Sequence, residues 1–150
     1  MIIIFETIKF LAVQNLPIRG HSEINSNLIQ LLHLRSKDNA LLKTWMDRTY
    51  KWTSHDIIDE ILSIMSLDIQ RKLLIEIRKA PFYAVMADET TDISCKEQMS
   101  INFRVVDDEM VIKEYFLGFY DIPRTDAETL FAVLKDVLLR FELSMNKCRG

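Results

Sequence analysis

The residues best suited to chemistry lie in Asp88-Glu89-Thr90-Thr91-Asp92, three carboxylates within five positions. They close the uncharged run Phe82-Tyr-Ala-Val-Met-Ala87, which Pro81 separates from a long helical pattern before it. Six uncharged residues in a row suit a strand buried on both faces. A carboxylate at the end of such a strand can hold a hard cation, because the rigid backbone fixes an oxygen that a loop would leave mobile. On pattern alone the commoner use of these acids is to open a turn and cap the next element. The stretch is not a calcium loop, since it lacks the Gly at the sixth position and the Glu at the twelfth. His21, His33 and His55 have no metal-ligand spacing and read as surface or capping residues. Cys95 and Cys148 belong to no CxxC or Cys/His cluster, so neither a zinc site nor a disulfide framework is indicated. No GxSxG, Walker or GxGxxG pattern occurs, which sets aside the commonest hydrolase, NTPase and dinucleotide chemistries.

The elements that must position Asp88 divide at Pro81. Before it the apolar period is helical. Residues 2–15 place Ile4, Phe5, Ile8, Leu11 and Ala12 on one face, and Pro17 and Gly20 then break the pattern. Ser22 is the expected N-cap of a helix over about 22–35, and a short helix comes next over about 38–50. Thr53 or Ser54 opens a longer one, kinked near Ser66, carrying Ile57, Ile58, Ile61, Leu62, Met65, Ile69, Leu73, Leu74 and Ile77. Its basic end (Arg71, Lys72, Arg78, Lys79) complements a helix C-terminus more readily than it recognises phosphate.

After Pro81 the period changes to two. Met99, Ile101, Phe103 and Val105 alternate with polar residues, predicting a half-buried strand that ends at the acidic turn Asp107-Asp108-Glu109. Residues 110–121 return antiparallel to it, with Gly118 a candidate bulge. The aromatics of this hairpin (Phe103, Tyr115, Phe116, Phe119, Tyr120) are expected in core and cross-strand packing rather than stacked on bases. Thr125-Asp-Ala-Glu128 has the form of a capping box, opening a helix over about 126–142 with Ala127, Leu130, Phe131, Leu134, Val137, Leu138 and Phe141 on its apolar face.

Composition is globular, with 49% hydrophobic and 27% charged residues in 150 positions, and no run approaches the ~20 apolar residues of a membrane span. A net charge of −3 argues against a self-sufficient DNA-binding module. The N-terminus lacks the basic start of a signal peptide, and the cysteine usage fits an intracellular protein.

The predicted fold class is α+β: a helical region, 1–80, followed by strand, strand, strand and helix in 81–150. That order is how a ribonuclease H-like domain begins, and its crossover helix returns the chain to a fourth strand parallel to the first. The residues also resemble the catalytic-domain opening of hAT-superfamily transposases, nearest the domesticated zinc-finger MYM-type and TTF-type proteins. The likeness rests on Phe82-Tyr-Ala-Val-Met-Ala-Asp-Glu-Thr-Thr-Asp-Ile-Ser94 with Lys96-Glu-Gln98, and on Lys9-Phe-Leu-Ala12 followed by Leu16-Pro-Ile-Arg-Gly-His21. Thr125-Asp-Ala-Glu128 and Asn146-Lys-Cys-Arg-Gly150 agree with it, while Asn15 and Ile18 depart from the family's Gly and Phe.

The resemblance implies that Asp88 matches the first acid of an Asp-Asp-Glu site. Such a site holds two Mg²⁺ or Mn²⁺ ions, about 4 Å apart, for cutting and joining DNA. Glu89 and Asp92 receive no role in it. The strand bearing the second acid is expected beyond Gly150, so the chain reads as truncated before the site is complete. The family's zinc-binding DNA module and dimerisation region are expected outside it too. Asp88 is then a vestigial ligand, no metal is expected to bind tightly, and the chain is not expected to cut DNA. Family resemblance implies a nuclear location and DNA as the ancestral partner. An alternative is a protein-interaction module, pairing with a partner or with itself through an exposed sheet edge.

Overall fold

A computed structural model describes residues 2–20, 22, 24–49, 51–91, 93–94, 96–107 and 109–150. Expectations for His21, Tyr50, Asp92, Cys95 and Asp108 lie outside the described residues. The class is α+β, with helices preceding an antiparallel sheet. Two compact units form, Met1–Ser66 and Leu67–Gly150, and α4 (His55–Lys79) contributes to both.

In the first unit, α1 (Ile2–Val13), α2 (Asn27–Ser36), α3 (Ala40–Met46) and the start of α4 bury one core. Ile4, Ile8, Leu11, Leu28, Leu32, Leu42, Met46, Ile58 and Ile61 fill it, at the helical spacing visible in the sequence. Two helices start later than expected. Ser26, not Ser22, caps α2 by accepting the Ile29 amide at 3.3 Å, and Ile24 is exposed. Asn39 caps α3 by accepting the Leu42 amide at 2.9 Å. In each case the cap is the Ser or Asn just before the first helical residue, where its oxygen reaches a free amide. One polar cluster crosses this unit. Buried Thr7 receives Arg35 Nη1 at 2.8 Å, and the same guanidinium reaches Glu6 at 3.0 Å. Arg19, from the Pro17–Gly20 break, pairs with Asp59 and donates to the His55 carbonyl at 3.3 Å, tying that loop to α4.

In the second unit, β1 (Tyr83–Thr91), β2 (Glu97–Val106) and β3 (Ile112–Asp121) lie side by side in that order, both pairings antiparallel. One face carries Tyr83 and Val85 from β1, Met99, Ile101, Phe103 and Val105 from β2, and Tyr115, Leu117 and Tyr120 from β3. Ile77, Leu74 and Leu73 of α4 cover it together with Val137, Leu138, Leu134 and Leu130 of α5 (Ala127–Arg140). The alternation of β2 is as the sequence predicts. The bulge expected at Gly118 is present: the register shifts between Ile101 and Asn102, and Gly118 takes φ +133°. The cap of α5 falls one residue later than the capping-box reading. Asp126, not Thr125, accepts the Thr129 amide at 3.0 Å. That bond, with the Thr129 hydroxyl behind it, holds the Asp126 carboxyl below its ordinary value.

Candidate functional site

Strand alternation decides what Asp88 can do. β1 directs Tyr83, Val85 and Ala87 to the helix-covered face, opposite Val105, Phe103 and Ile101. Ala84, Met86 and Asp88 therefore share the other face, opposite Arg104, Asn102 and Ser100. Asp88 is exposed, and its carboxylate has no hydrogen-bond or ion-pair partner among the described residues. Its backbone is held in place: the carbonyl accepts the Ser100 hydroxyl at 3.2 Å. Asp88 lies inside the strand, three positions before its end, rather than closing it.

The expectation of a strand buried on both faces is not met. Only Tyr83 of β1 is buried, and Phe82 is half exposed beneath the Arg149 guanidinium, 4.4 Å from the ring centroid. The reason is that β1 is hydrogen-bonded to one full strand only, and Asp88's face carries no helix among the described residues of this unit. Phe116 and Phe119 stand on that same face, 49% and 58% exposed, with ring centroids 5.1 Å apart. Of the five hairpin aromatics expected in core and cross-strand packing, Phe103, Tyr115 and Tyr120 reach the core, whereas Phe116 and Phe119 pair with each other along β3.

On its other edge β1 receives the end of the chain. Cys148 bridges Tyr83 in parallel, the Arg149 amide donates to the Tyr83 carbonyl at 2.9 Å, and the Val85 amide donates to the Gly150 carbonyl at 2.9 Å. The crossover helix α5 thus returns the chain parallel to β1, as the β-β-β-α order predicts. Backbone alternation leaves the amides and carbonyls of Ala87, Glu89 and Thr91 on that edge, beyond the three paired residues.

The other candidates have structural employment. Lys72 and Lys79 pair with Asp68 and Glu76 of their own helix, and Arg78 binds the Phe141 carbonyl. His33 and His55 are exposed on α2 and at the start of α4. Among the described residues no group of three or more His, Cys, Asp or Glu side chains is placed to hold a metal ion. None of the described helices is long and apolar enough to cross a membrane.

Curated relatives match nearly the whole chain. The protein named 52 kDa repressor of the inhibitor of the protein kinase is 28% identical over 160 residues in Homo sapiens, and equally so in Mus musculus. Each alignment covers 98% of this chain and 21% of the relative, so the chain spans about a fifth of the length of the curated relatives it matches. No solved structure matches it. All of residues 1–150 match the family described as DUF4371, ZMYM1/FAM200, RNase-like domain, and the chain belongs to that family.

Proposed function

We propose that the chain is part of the ribonuclease H-like region of an hAT-type, transposase-derived protein, ancestrally a metal-dependent DNA-cutting and DNA-joining enzyme. Asp88 is its first metal-ligating acid. The observation that supports this best is the placement of Asp88. A free carboxylate stands on a hydrogen-bonded strand, and the adjacent edge is the one to which the crossover helix returns the chain in parallel. A second acid delivered along that edge would converge with the first, as two-metal chemistry requires. The described residues supply one such ligand and do not make a metal centre by themselves, so no catalytic step is assigned to this chain. Mg²⁺ or Mn²⁺ belongs to the complete ancestral site, with DNA as its substrate. A nuclear location belongs to the same reading and is supported by the relatives' description as a repressor.

The test is Mn²⁺ titration of the labelled chain by NMR. Paramagnetic broadening should centre on Asp88 and Ser100, at weak affinity, and Asp88→Asn should abolish it. Broadening that survives the substitution would remove Asp88 from the ligand set. A second reading, a protein-interaction module, rests on the β1 edge beyond Val85, which has no strand partner among the described residues, since unpaired strand edges recruit other strands. Sedimentation equilibrium on the same samples decides it: association with rising concentration supports pairing, and a constant monomer mass rules out self-pairing.

A further inference from the structure

The way the chain leaves α5 and reaches β1 is controlled by a few polar side chains. Past Arg140 the backbone reverses through Glu142, whose φ of +52° is left-handed, and the Leu143 amide closes the turn on the Leu138 carbonyl at 2.9 Å. Arg78 donates to the Phe141 carbonyl from Nε at 3.0 Å and from Nη2 at 2.8 Å. Buried Tyr83 donates its hydroxyl to the Ser144 carbonyl at 2.9 Å. Lys147 Nζ then binds two carbonyls at the end of α4, those of Arg78 and Ala80, both at 3.1 Å. Only after these ties do Cys148–Gly150 pair with β1.

We propose that Arg78, Tyr83 and Lys147 form a latch that fixes the register in which residues 148–150 join β1. Two backbone hydrogen bonds do not by themselves offset the entropy of ordering residues 148–150 in one register. The apolar contacts of Leu143 and Cys148 tolerate sliding, whereas charged donors aimed at named carbonyls do not. Each end of the connection is therefore pinned: Phe141 and Ser144 on one side, and through Lys147 the last turn of α4 on the other. The importance of that register rests on the Asp88 reading, because an acid carried along this edge would be set against Asp88 by it. The latch itself rests only on the geometry above. Arg78, Tyr83 and Lys147 are positioning residues that touch no metal or substrate.

An engineered disulfide reads the register directly. A Cβ built on Gly150 lies 3.7 Å from Ala84 Cβ, within the range a disulfide spans. A slip of one residue moves it by about 3.3 Å, out of that range. The full chain carrying Ala84→Cys and Gly150→Cys, with Cys95→Ser and Cys148→Ser, should oxidise readily to the cross-linked form. Adding Arg78→Met and Lys147→Met should slow cross-linking by about tenfold or more, the scale of lost charge-assisted hydrogen bonds. Lys147→Arg, which keeps the donor, should restore part of the rate where Lys147→Met does not. A rate within about twofold of the latch-intact chain would overturn the latch, since the lost hydrogen bonds would then leave the register unchanged. Should the double substitution prevent folding, Lys147→Met alone, which leaves α4 intact, is judged by the same criterion. The Mn²⁺ titration is run on the latch-intact chain, so loss of the Asp88 reading and loss of the latch are separately visible.

Discussion

Phe103→Ala should lower the unfolding free energy of the Leu67–Gly150 unit by about 3–5 kcal/mol, measured by urea denaturation of the full chain. Phe103 is fully buried at the middle of the central strand, between Val85 and Tyr115, with its ring 5.5 Å from that of Tyr83. Truncation removes a fully buried ring from the centre of the sheet and leaves a cavity that helices on one side and strand neighbours on the other cannot close. A loss of that size is a large fraction of the ~5–15 kcal/mol that holds an ordinary domain together, so the unit should be partly unfolded even without denaturant. Phe119→Ala is the matched control. The same side chain on the opposite face is 58% exposed, and its removal should cost about 1 kcal/mol or less, chiefly its edge-to-face contact with Phe116. Equal losses at the two positions would show that Asp88's face is covered in solution, and would require a different account of that face.

The contrast between these two phenylalanines marks where the sequence was legible. Within β2 an unbroken period of two named the core residues, because each position's face follows from the one before. The helices were legible for the same reason, and their caps were displaced because several Ser, Thr and Asp residues stood near each start. Ser22 and Ser26 both precede the α2 stripe, and only the backbone decides which oxygen reaches a free amide. Asp88 was singled out by type and by resemblance, but its face was not readable from its own strand. An uncharged run has no alternation to betray a side, and the run suggested burial that the sheet does not provide. The side is set by pairing: Ala87 lies opposite buried Ile101, which sends Asp88 the other way. The latch was invisible for a different reason. Arg78 and Lys147 are 69 residues apart; the first reads locally as a dipole complement and the second as part of a polar end. Nothing local connects a basic helix end to the turn it holds.

Gly118→Ala should cost about 1–3 kcal/mol, although the added methyl meets no clash. A Cβ at this position would lie 3.7 Å from Gln70 Nε2 and 3.9 Å from Tyr120, both ordinary contacts. The cost is conformational: φ is +133°, which glycine reaches freely and an L side chain does not. The structure depends on that angle. The bulge adds one residue to β3, so Phe116 and Phe119, three apart, reach the same face, and Leu117 and Tyr120 reach the core. Gln70 supports the arrangement by donating to the Leu117 carbonyl at 2.5 Å, a group at the point where the ladder is interrupted. If alanine instead forces regular pairing, every residue after 118 changes sides, exposing Tyr120 and burying Phe119. Tyr120 reports the difference. Burial raises its phenol above the ordinary value, with the nearby Arg140 opposing and Asp136 assisting. A folded-state value raised above the unfolded one means that the neutral phenol is favoured by folding. That stability is complete below pH 10 and is lost as pH climbs through the raised value. In Gly118→Ala, a strained but intact bulge keeps the late titration of Tyr120 and shows only the stability loss. A slipped strand brings that titration back toward pH 10 and moves the Phe116–Phe119 pair off Asp88's face.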